Sequence, residues 1–305
     1  MEPPDPSPAA RFVTTWAVRP GEAAIELLRP ANLVTSAADV LAGFAVAGGV
    51  NLRVLPWLLV STIGLYGGGV VLNDVFDVEL DSRERPERPI PSGRISIRAA
   101  SILGVGSLTV GVAAAGFSSL VSGLLALSIA ISAVLYNSWG KRHTRIAAIN
   151  MGACRGLNLL LGMSAVPVVL GQRWWLAAIG FIFVAAITAV SAGETHGGTQ
   201  FSGGLALALI ALVIAALVAL GLGAPRSVAL LPFGLVFAWR VVPPFVRAFR
   251  VPDAGRSRAA VRVGVLNLIV LDAAIGAAYS GLIYGLVVVS LLAVAATLAR
   301  LFAVT

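Results

Sequence analysis

Acidic residues concentrate in one short stretch of this sequence. Six of its fourteen Asp and Glu residues lie between Asp74 and Glu87, and Asp74, Asp77 and Asp81 follow one another at spacings of three and four. On a helix this spacing brings the three carboxylates to one face. Carboxylates so close repel one another unless a cation lies between them, and hard oxygen ligands suit Mg²⁺. The pattern therefore predicts a magnesium site, to which Asn73 can add a carbonyl ligand.

Two arginines, Arg85 and Arg88, follow the acidic residues directly. Guanidinium groups bind phosphate oxygens in a bidentate manner, and protein-bound magnesium is commonly completed by substrate phosphates. Together these residue types predict a site for a diphosphate. The alternative is a solvated charged loop, but the helical spacing and the position at the end of an apolar segment favour the diphosphate site.

The composition indicates which elements position this site. Of the 305 residues, 58% are hydrophobic and only 12% are charged, with a mean hydropathy of +0.93. Soluble domains are about 25% charged, so a cytosolic globular enzyme is excluded. The net charge of +8 is spread between apolar segments rather than gathered in one patch, so nucleic acid is not an expected partner. The chain is predicted to be a polytopic protein of the lipid bilayer.

Apolar segments of membrane length predict an all-α bundle of nine transmembrane helices with a possible tenth. The last two segments are continuous, and together they are about twice as long as a membrane is thick. A turn at Ser280 and Gly281 is therefore expected between them. The predicted segments are 33–50, 55–73, 97–115, 119–137, 146–170, 174–192, 202–222, 228–248, 262–281 and 283–303.

The distribution of Lys and Arg predicts the orientation. Sixteen basic residues fall in the N-terminal region and in the connections on its side, whereas the opposite side holds only Arg53, Arg173 and Arg226. Under the positive-inside rule the N-terminus is cytoplasmic in a multi-pass protein of the cell (inner) membrane. Residues 1–30 are expected to be a polar, mostly disordered tail with a short helix near Trp16 to Leu28, and 31–303 the transmembrane domain.

The acidic stretch resembles the first aspartate-rich motif of the UbiA superfamily of intramembrane prenyltransferases. It is most similar to the branch that prenylates glycerol phosphate for archaeal-type ether lipids, whose Arg-Pro-x-Asn entry is also present. The resemblance covers residues 25 to about 282. The residues that carry it are Arg29, Pro30, Asn32, Asn73, Asp74, Asp77, Asp81, Arg85, Arg88, Pro89, Ile90, Ser92, Gly93 and Ser96.

The resemblance implies transfer of a polyprenyl group from a polyprenyl diphosphate to a small acceptor at the cytoplasmic face, with Mg²⁺ as cofactor. The acceptor is lipophilic, aromatic or hydroxylated. Three residues are expected to be catalytic: Asp74, Asp77 and Glu194. The expected Mg²⁺ ligands are Asn73, Asp74, Asp77, Asp81 and Glu194, and the expected diphosphate-binding residues are Asn32, Arg85, Arg88, Tyr136, Lys141, Arg155 and His196.

The second acidic motif departs from the family pattern. The family has Asp-x-x-x-Asp at the end of the sixth helix, whereas this chain has no Asp between Asp81 and Asp253 and offers Glu194 and His196 there. One carboxylate where two are usual implies a weaker second metal or none. The alternative function is therefore a non-catalytic UbiA-like carrier of a lipid or metabolite in an export or secondary-metabolite system.

Four charged residues lie more than one helical turn from either end of their predicted span. Arg155 can face the diphosphate or extend its side chain to the interface, and charges within spans are functional candidates by default. Asp39, Arg240 and Asp272 are expected either to form interhelical pairs or to line the chamber.

Overall fold

The computed structural model describes residues 20–142, 144–191 and 198–301. Within these ranges the regular structure is entirely helical, so the all-α prediction is confirmed. The helices are α1 Pro20–Leu28, α2 Pro30–Val46, α3 Leu55–Phe76, α4 Val78–Glu84, α5 Ile97–Ser118, α6 Leu120–Ser138, α7 Thr144–Met163, α8 Pro167–Arg173, α9 Ala177–Ser191, α10 Gln200–Gly223, α11 Ser227–Arg250, α12 Ala254–Ser280 and α13 Leu282–Leu301, with 3₁₀ turns at Gly140–Arg142 and Trp174–Leu176.

Nine stretches of the described chain are long and apolar enough to cross a membrane. Eight are single helices, and the ninth joins α8 and α9 as Pro167–Ser191. Helix α2 is apolar but has 17 residues, which gives it a length of about 26 Å, slightly short of the hydrocarbon core. The predicted turn between the last two spans is confirmed at Gly281, whose φ of 94° ends α12.

Helix α2 lies at the centre of the bundle, in contact with α3, α7, α12 and α13. Its approach to α7 requires glycine on both helices. A Cβ at Gly43 would overlap the carbonyl oxygen of Leu159, and one at Gly162 would overlap that of Val40. Small residues of this kind let membrane helices pack backbone to backbone.

Helix α1 precedes the bundle and packs against α3. Its Ala23 and Leu27 are buried, with exposures of 0% and 1%. The C-terminal part of the predicted tail is therefore a packed helix, in the region where a short helix was expected. The division of the chain into a tail and a transmembrane domain stays a prediction.

A break at Arg29 separates α1 from α2. Pro30 is the first residue of α2, where its missing N–H costs no helical hydrogen bond. Arg29 adopts a left-handed conformation with φ of 48°, and it is the one non-glycine residue with positive φ in the described ranges. Such a conformation typically costs about 1–3 kcal/mol and persists where surrounding contacts hold it.

The contact between α2 and α7 yields a stability prediction. Gly43→Ala is expected to lower the free energy of unfolding by about 1–3 kcal/mol, the usual cost of overpacking. The added Cβ would overlap Leu159 O and lie 2.8 Å from Met163 N. Gly106→Ala is the matched control, because nothing lies within 4 Å of a Cβ at that position. Thermal unfolding of both variants in detergent measures the difference, and equal stability would contradict the close helix contact.

Candidate functional site

Three carboxylates and three basic side chains form what we call the ion-pair cluster: Arg29, Asp74, Asp77, Asp81, Arg88 and Lys141. Arg88 is shared between two carboxylates. Its Nη1 lies 2.7 Å from Asp81 Oδ2 and 3.3 Å from Asp74 Oδ1. Both carboxylates are buried, at 5% exposure each. Arg88 therefore neutralises negative charge on two carboxylates that would be costly to bury without a counter-ion.

The remaining pairs join the cluster to two other segments. Arg29 Nη2 donates to Asp74 Oδ1 at 2.7 Å. Lys141 Nζ donates to Asp77 Oδ1 at 2.6 Å and lies 3.5 Å from Asn73 Oδ1. The cluster thus draws on three separate parts of the chain.

Backbone hydrogen bonds hold the acidic residues in helical register across the junction of α3 and α4. Asp77 N donates to Asn73 O at 3.0 Å and Asp81 N donates to Asp77 O at 2.8 Å. The helical period therefore continues through the short break at Asp77. Since Arg88 reaches both Asp74 and Asp81, these two carboxylates share a face, as the spacing predicts.

Arg29 is not one of the diphosphate-binding residues that the sequence predicts, although it belongs to the Arg-Pro-x-Asn entry. The break before Pro30 directs its side chain to Asp74. An arginine immediately before a helix-starting proline was the available signal. A charge at such a helix entry can reach the end of a neighbouring helix.

A second arginine fixes α1 to the segment that follows α4. Arg94 donates through Nη2 to Glu26 Oε1 at 3.0 Å and to the carbonyl oxygen of Glu87 at 2.9 Å, and its Nη1 donates to Glu26 Oε2. The hydrogen bonds with Glu26 raise the pKa of the Arg94 guanidinium. This bidentate contact holds the helix end from which Arg29 extends.

A cavity of about 370 Å³ opens beside the cluster and runs into the bundle. Two predicted diphosphate-binding residues, Asn32 and Tyr136, line the cavity together with Arg29 of the cluster and Asn73. Its deeper lining includes charged and amide side chains. Its lining includes Thr35, Asp39, Arg155, Asn158, Val184, Ile187, Val265 and Leu268.

Arg155 lies deeper than the ion-pair cluster and contacts a different carboxylate. Its Nε lies 3.0 Å from Asp39 Oδ2, and its Nη2 donates to the carbonyl oxygen of Thr35 at 3.0 Å. Both sequence alternatives for Asp39 therefore hold, because it forms an interhelical pair and also lines the cavity. Arg240 donates to Asn267 at 2.9 Å, outside the cavity.

Other predicted residues are not brought to the cluster. Arg85 is exposed and has no ion pair among the described residues. Glu194 and His196 lie outside the described residues, so their predicted roles stay predictions.

The three carboxylates are engaged by basic side chains instead of converging on one point. In the described ranges no group of three His, Cys, Asp or Glu side chains is arranged to hold a metal. Asp74 contacts Arg29, Asp81 contacts Arg88 and Asp77 contacts Lys141. Their chemistry nevertheless suits Mg²⁺, since Asp74, Asp77, Asp81 and the Asn73 carbonyl are hard oxygen donors within two helical turns.

Two named relatives are similar to parts of this chain. Digeranylgeranylglyceryl phosphate synthase of Methanothrix thermoacetophila is 43% identical over 113 residues, covering 36% of this chain and 42% of that protein. The synthase of the same name from Methanopyrus kandleri is 32% identical over 166 residues, covering 52% of this chain and 58% of that protein. The chain spans about half the length of the curated relatives it matches.

Solved structures and a family model extend the comparison. An apo UbiA homolog from Aeropyrum pernix K1 superposes with a TM-score of 0.67 at 18% identity, over 80% of this chain and 96% of that one. A UbiA homolog from Archaeoglobus fulgidus bound to GPP and Mg²⁺ superposes with a TM-score of 0.62 at 16% identity, over 88% and 99%. These likenesses show a shared fold. The model of the UbiA prenyltransferase family matches residues 34–196, just over half of the sequence. This chain therefore belongs to the UbiA prenyltransferase family.

Proposed function

We propose that this protein transfers a prenyl group from a prenyl diphosphate to a small acceptor, with Mg²⁺, at the mouth of its cavity. The observation that carries the proposal is the ion-pair cluster, which places three basic side chains and three carboxylates beside a cavity within an apolar bundle. The named relatives and the GPP-bound neighbour support a prenyl diphosphate donor.

The carboxylates and the basic side chains of the cluster could each bind a part of the substrate complex in place of one another. Asn73, Asp74, Asp77 and Asp81 would hold a magnesium ion, and such an ion would supply charge neutralisation for the diphosphate leaving group. Arg29, Arg88 and Lys141, released from their carboxylates, can then donate to phosphate oxygens. Asn32 and Tyr136 line the cavity just inside and can add hydrogen bonds.

The cavity gives the reaction an environment that limits the access of water. Apolar side chains such as Val184, Ile187 and Leu268 line it below the cluster. Low water content prevents premature hydrolysis of a reactive allylic intermediate. It also strengthens the electrostatic contacts of the basic side chains with the leaving group.

The nine apolar spans among the described residues and the family assignment make this a multi-pass membrane protein. We place its N-terminus and the ion-pair cluster on the cytoplasmic side of the cell (inner) membrane. The support is the excess of Lys and Arg in the connections on the side of the cluster. Polyprenyl diphosphates carry charged head groups, so a water-facing cluster suits their binding.

A second candidate function is a non-catalytic carrier that binds an anionic head group. The observation in its favour is that every carboxylate of the cluster is already paired with a basic residue. The three basic side chains balance the charge of the three carboxylates, and the altered second motif around Glu194 supplies fewer ligands than the family pattern.

The role of Lys141 can be tested by substitution. Lys141→Met is expected to lower the rate of prenyl transfer at subsaturating donor by about tenfold or more, the cost of one hydrogen bond to a charged group. Release of diphosphate from labelled geranylgeranyl diphosphate measures this rate in detergent. Arg83→Ala is the control, because Arg83 is an exposed side chain of α4. Equal losses in both variants would point to a general charge effect instead of a diphosphate contact.

Metal dependence provides a separate test. Chelation by EDTA is expected to abolish diphosphate release, and added Mg²⁺ to restore it. Asp77→Asn should raise the Mg²⁺ concentration needed for half-maximal rate, because it removes a charged oxygen ligand. A full rate in EDTA would argue against the metal-assisted reaction. Unchanged magnesium dependence in Asp77→Asn would remove that residue from the ligand set.

Glu194→Gln separates the two candidate functions. A transferase that uses Glu194 as a ligand is expected to lose most of its turnover, whereas a carrier keeps its cellular function without that carboxylate. The measurement pairs diphosphate release by the purified variant with complementation of a deletion strain. Full complementation by variants with no detectable release would favour the carrier.

A further inference from the structure

Arg240 is a cation in the middle of a membrane span. It lies about 20 Å from one end of α11, at Ser227, and about 15 Å from the other, at Arg250. Its guanidinium group stays protonated in proteins. Among the described residues it has no ion pair. A charge at this depth is costly in lipid, and it is a candidate for function by default.

The hydrogen-bond partner that the described residues offer to Arg240 is a neutral amide. Arg240 Nε donates to Asn267 Oδ1 at 2.9 Å, and Asn267 Nδ2 donates to the carbonyl oxygen of Val263 at 2.7 Å. The second hydrogen bond directs the amide oxygen to Arg240. Asn267 is fully buried on α12. It therefore positions the guanidinium group without neutralising its charge.

The two terminal nitrogens of Arg240 remain available to a ligand. Neither Nη1 nor Nη2 makes a hydrogen bond within the described part of the chain. The side chain is half-buried, and neither nitrogen is one of the enclosed polar atoms that lack a partner. Arg240 does not line the cavity. A ligand of these nitrogens therefore approaches from the outer surface of the bundle.

The surface around Arg240 lies where three helices meet. Phe233, Arg240 and Arg247 follow one another at a spacing of seven, which places them on one face of α11. The Phe233 ring packs against Gly285 of α13, where a Cβ would overlap it. On the same side Val236 is 40% exposed. Arg240 therefore borders the groove that α11 and α13 form beside α12.

The depth of Arg240 favours a carboxylate of another membrane helix over a lipid head group. Helix α11 has 24 residues and a length of about 36 Å, so its ends extend just past a hydrocarbon core of about 30 Å. The exposed Arg247 and Arg250 are near one end, where head groups lie. Arg240 is about 10 Å deeper than Arg247. Charged side chains at such depth pair with one another.

A second copy of this chain does not offer that carboxylate from its described residues. The acidic side chains in the middle of the described spans are Asp39 and Asp272, at 3% and 4% exposure. Asp39 is also paired with Arg155. The partner is therefore a different protein.

We propose that the groove beside Arg240 binds a transmembrane helix of a partner protein with an Asp or Glu in the middle of its span. That carboxylate accepts hydrogen bonds from Nη1 and Nη2 and neutralises the guanidinium group. Apolar side chains of the partner pack on the exposed face of α11 at Val236. The inference does not depend on the proposed transferase function, because Arg240 lies outside the cavity.

A synthetic single-span peptide tests this site in the full chain. The probe is a Leu- and Ala-rich helix of about 20 residues with one central Glu, and two otherwise identical helices carry Gln or Lys there. Energy transfer between labelled peptide and protein measures association in phosphatidylcholine vesicles at mildly alkaline pH. We expect the Glu helix to associate about tenfold more tightly than the Gln helix and the Lys helix to associate most weakly. Equal association of the three helices would overturn the proposal.

Two variants of Arg240 locate the contact. Arg240→Gln is expected to lose the preference for the Glu helix, and Arg240→Glu to prefer the Lys helix, since it reverses the charge. Thermal unfolding in detergent shows whether each variant is folded. If one is not, the other decides together with the wild-type series, and a wild-type preference in a folded variant would count against the site.

Arg247→Gln is the matched control, because it makes the same change on the same face of α11 at an exposed residue two turns nearer to the helix end. We expect it to keep the wild-type preference for the Glu helix. A loss equal to that of Arg240→Gln would show a general effect of surface charge and overturn the proposal.

Vesicles that contain phosphatidylglycerol distinguish a partner helix from an anionic lipid. An unchanged preference for the Glu helix in these vesicles would support the helix site. Loss of the preference would show that the lipid takes the place of the peptide carboxylate, and the proposal would be overturned in favour of a lipid site.

Discussion

An ionised side chain within an apolar helix bundle must have a partner of opposite charge or carry no charge. Removing it from water costs several kcal/mol, and only a close counter-ion recovers most of that cost. This constraint explains the distribution of charge in the interior of the protein. At the ends of α3 and α4 each buried carboxylate contacts an arginine, and in the centre Asp39 contacts Arg155.

These contacts depend on how closely the helices approach one another. Glycine at Gly43 and Gly162 lets α2 and α7 pack backbone to backbone, which brings Asp39 and Arg155 within reach. The left-handed turn at Arg29 directs a cation from the start of α2 to the end of α3. Glu26 and Arg94 secure that turn from the other side. The left-handed conformation of Arg29 is costly by itself. The ion pair of Arg29 with Asp74 and the contact of Arg94 with Glu26 compensate for that cost.

The sequence predicts part of this arrangement because some of its signals are local. Helical spacing placed Asp74 and Asp81 on one face, and apolar length placed them at the end of a span. Asp39, Arg155 and Asp272 were recognisable as charges inside spans, but their pairing depends on which helices are neighbours. The pairing is set by tertiary contacts between α2, α7 and α12, and the spacing of residues within one helix does not predict those contacts. The contact between Arg29 and Asp74 was missed for the same reason, since 45 residues separate the two partners.

The two charged regions differ in how readily they can change partners. In the ion-pair cluster the side chains of Lys141 and Asp77 are 19% and 22% exposed. In the centre of the bundle those of Arg155 and Asp39 are 8% and 4% exposed. Breaking a pair near water exposes both charges to solvent at low cost, whereas breaking a buried pair leaves an uncompensated charge. Within the cluster the side chains of Asp74, Asp81 and Arg88 are also buried, at 7%, 7% and 11% exposure. The pair of Lys141 and Asp77 is therefore the one best suited to exchange its carboxylate for an incoming diphosphate. The inner pair of Arg155 and Asp39 keeps its partners, so the same constraint assigns exchange to the pair nearest water and a structural role to the pair in the centre of the bundle.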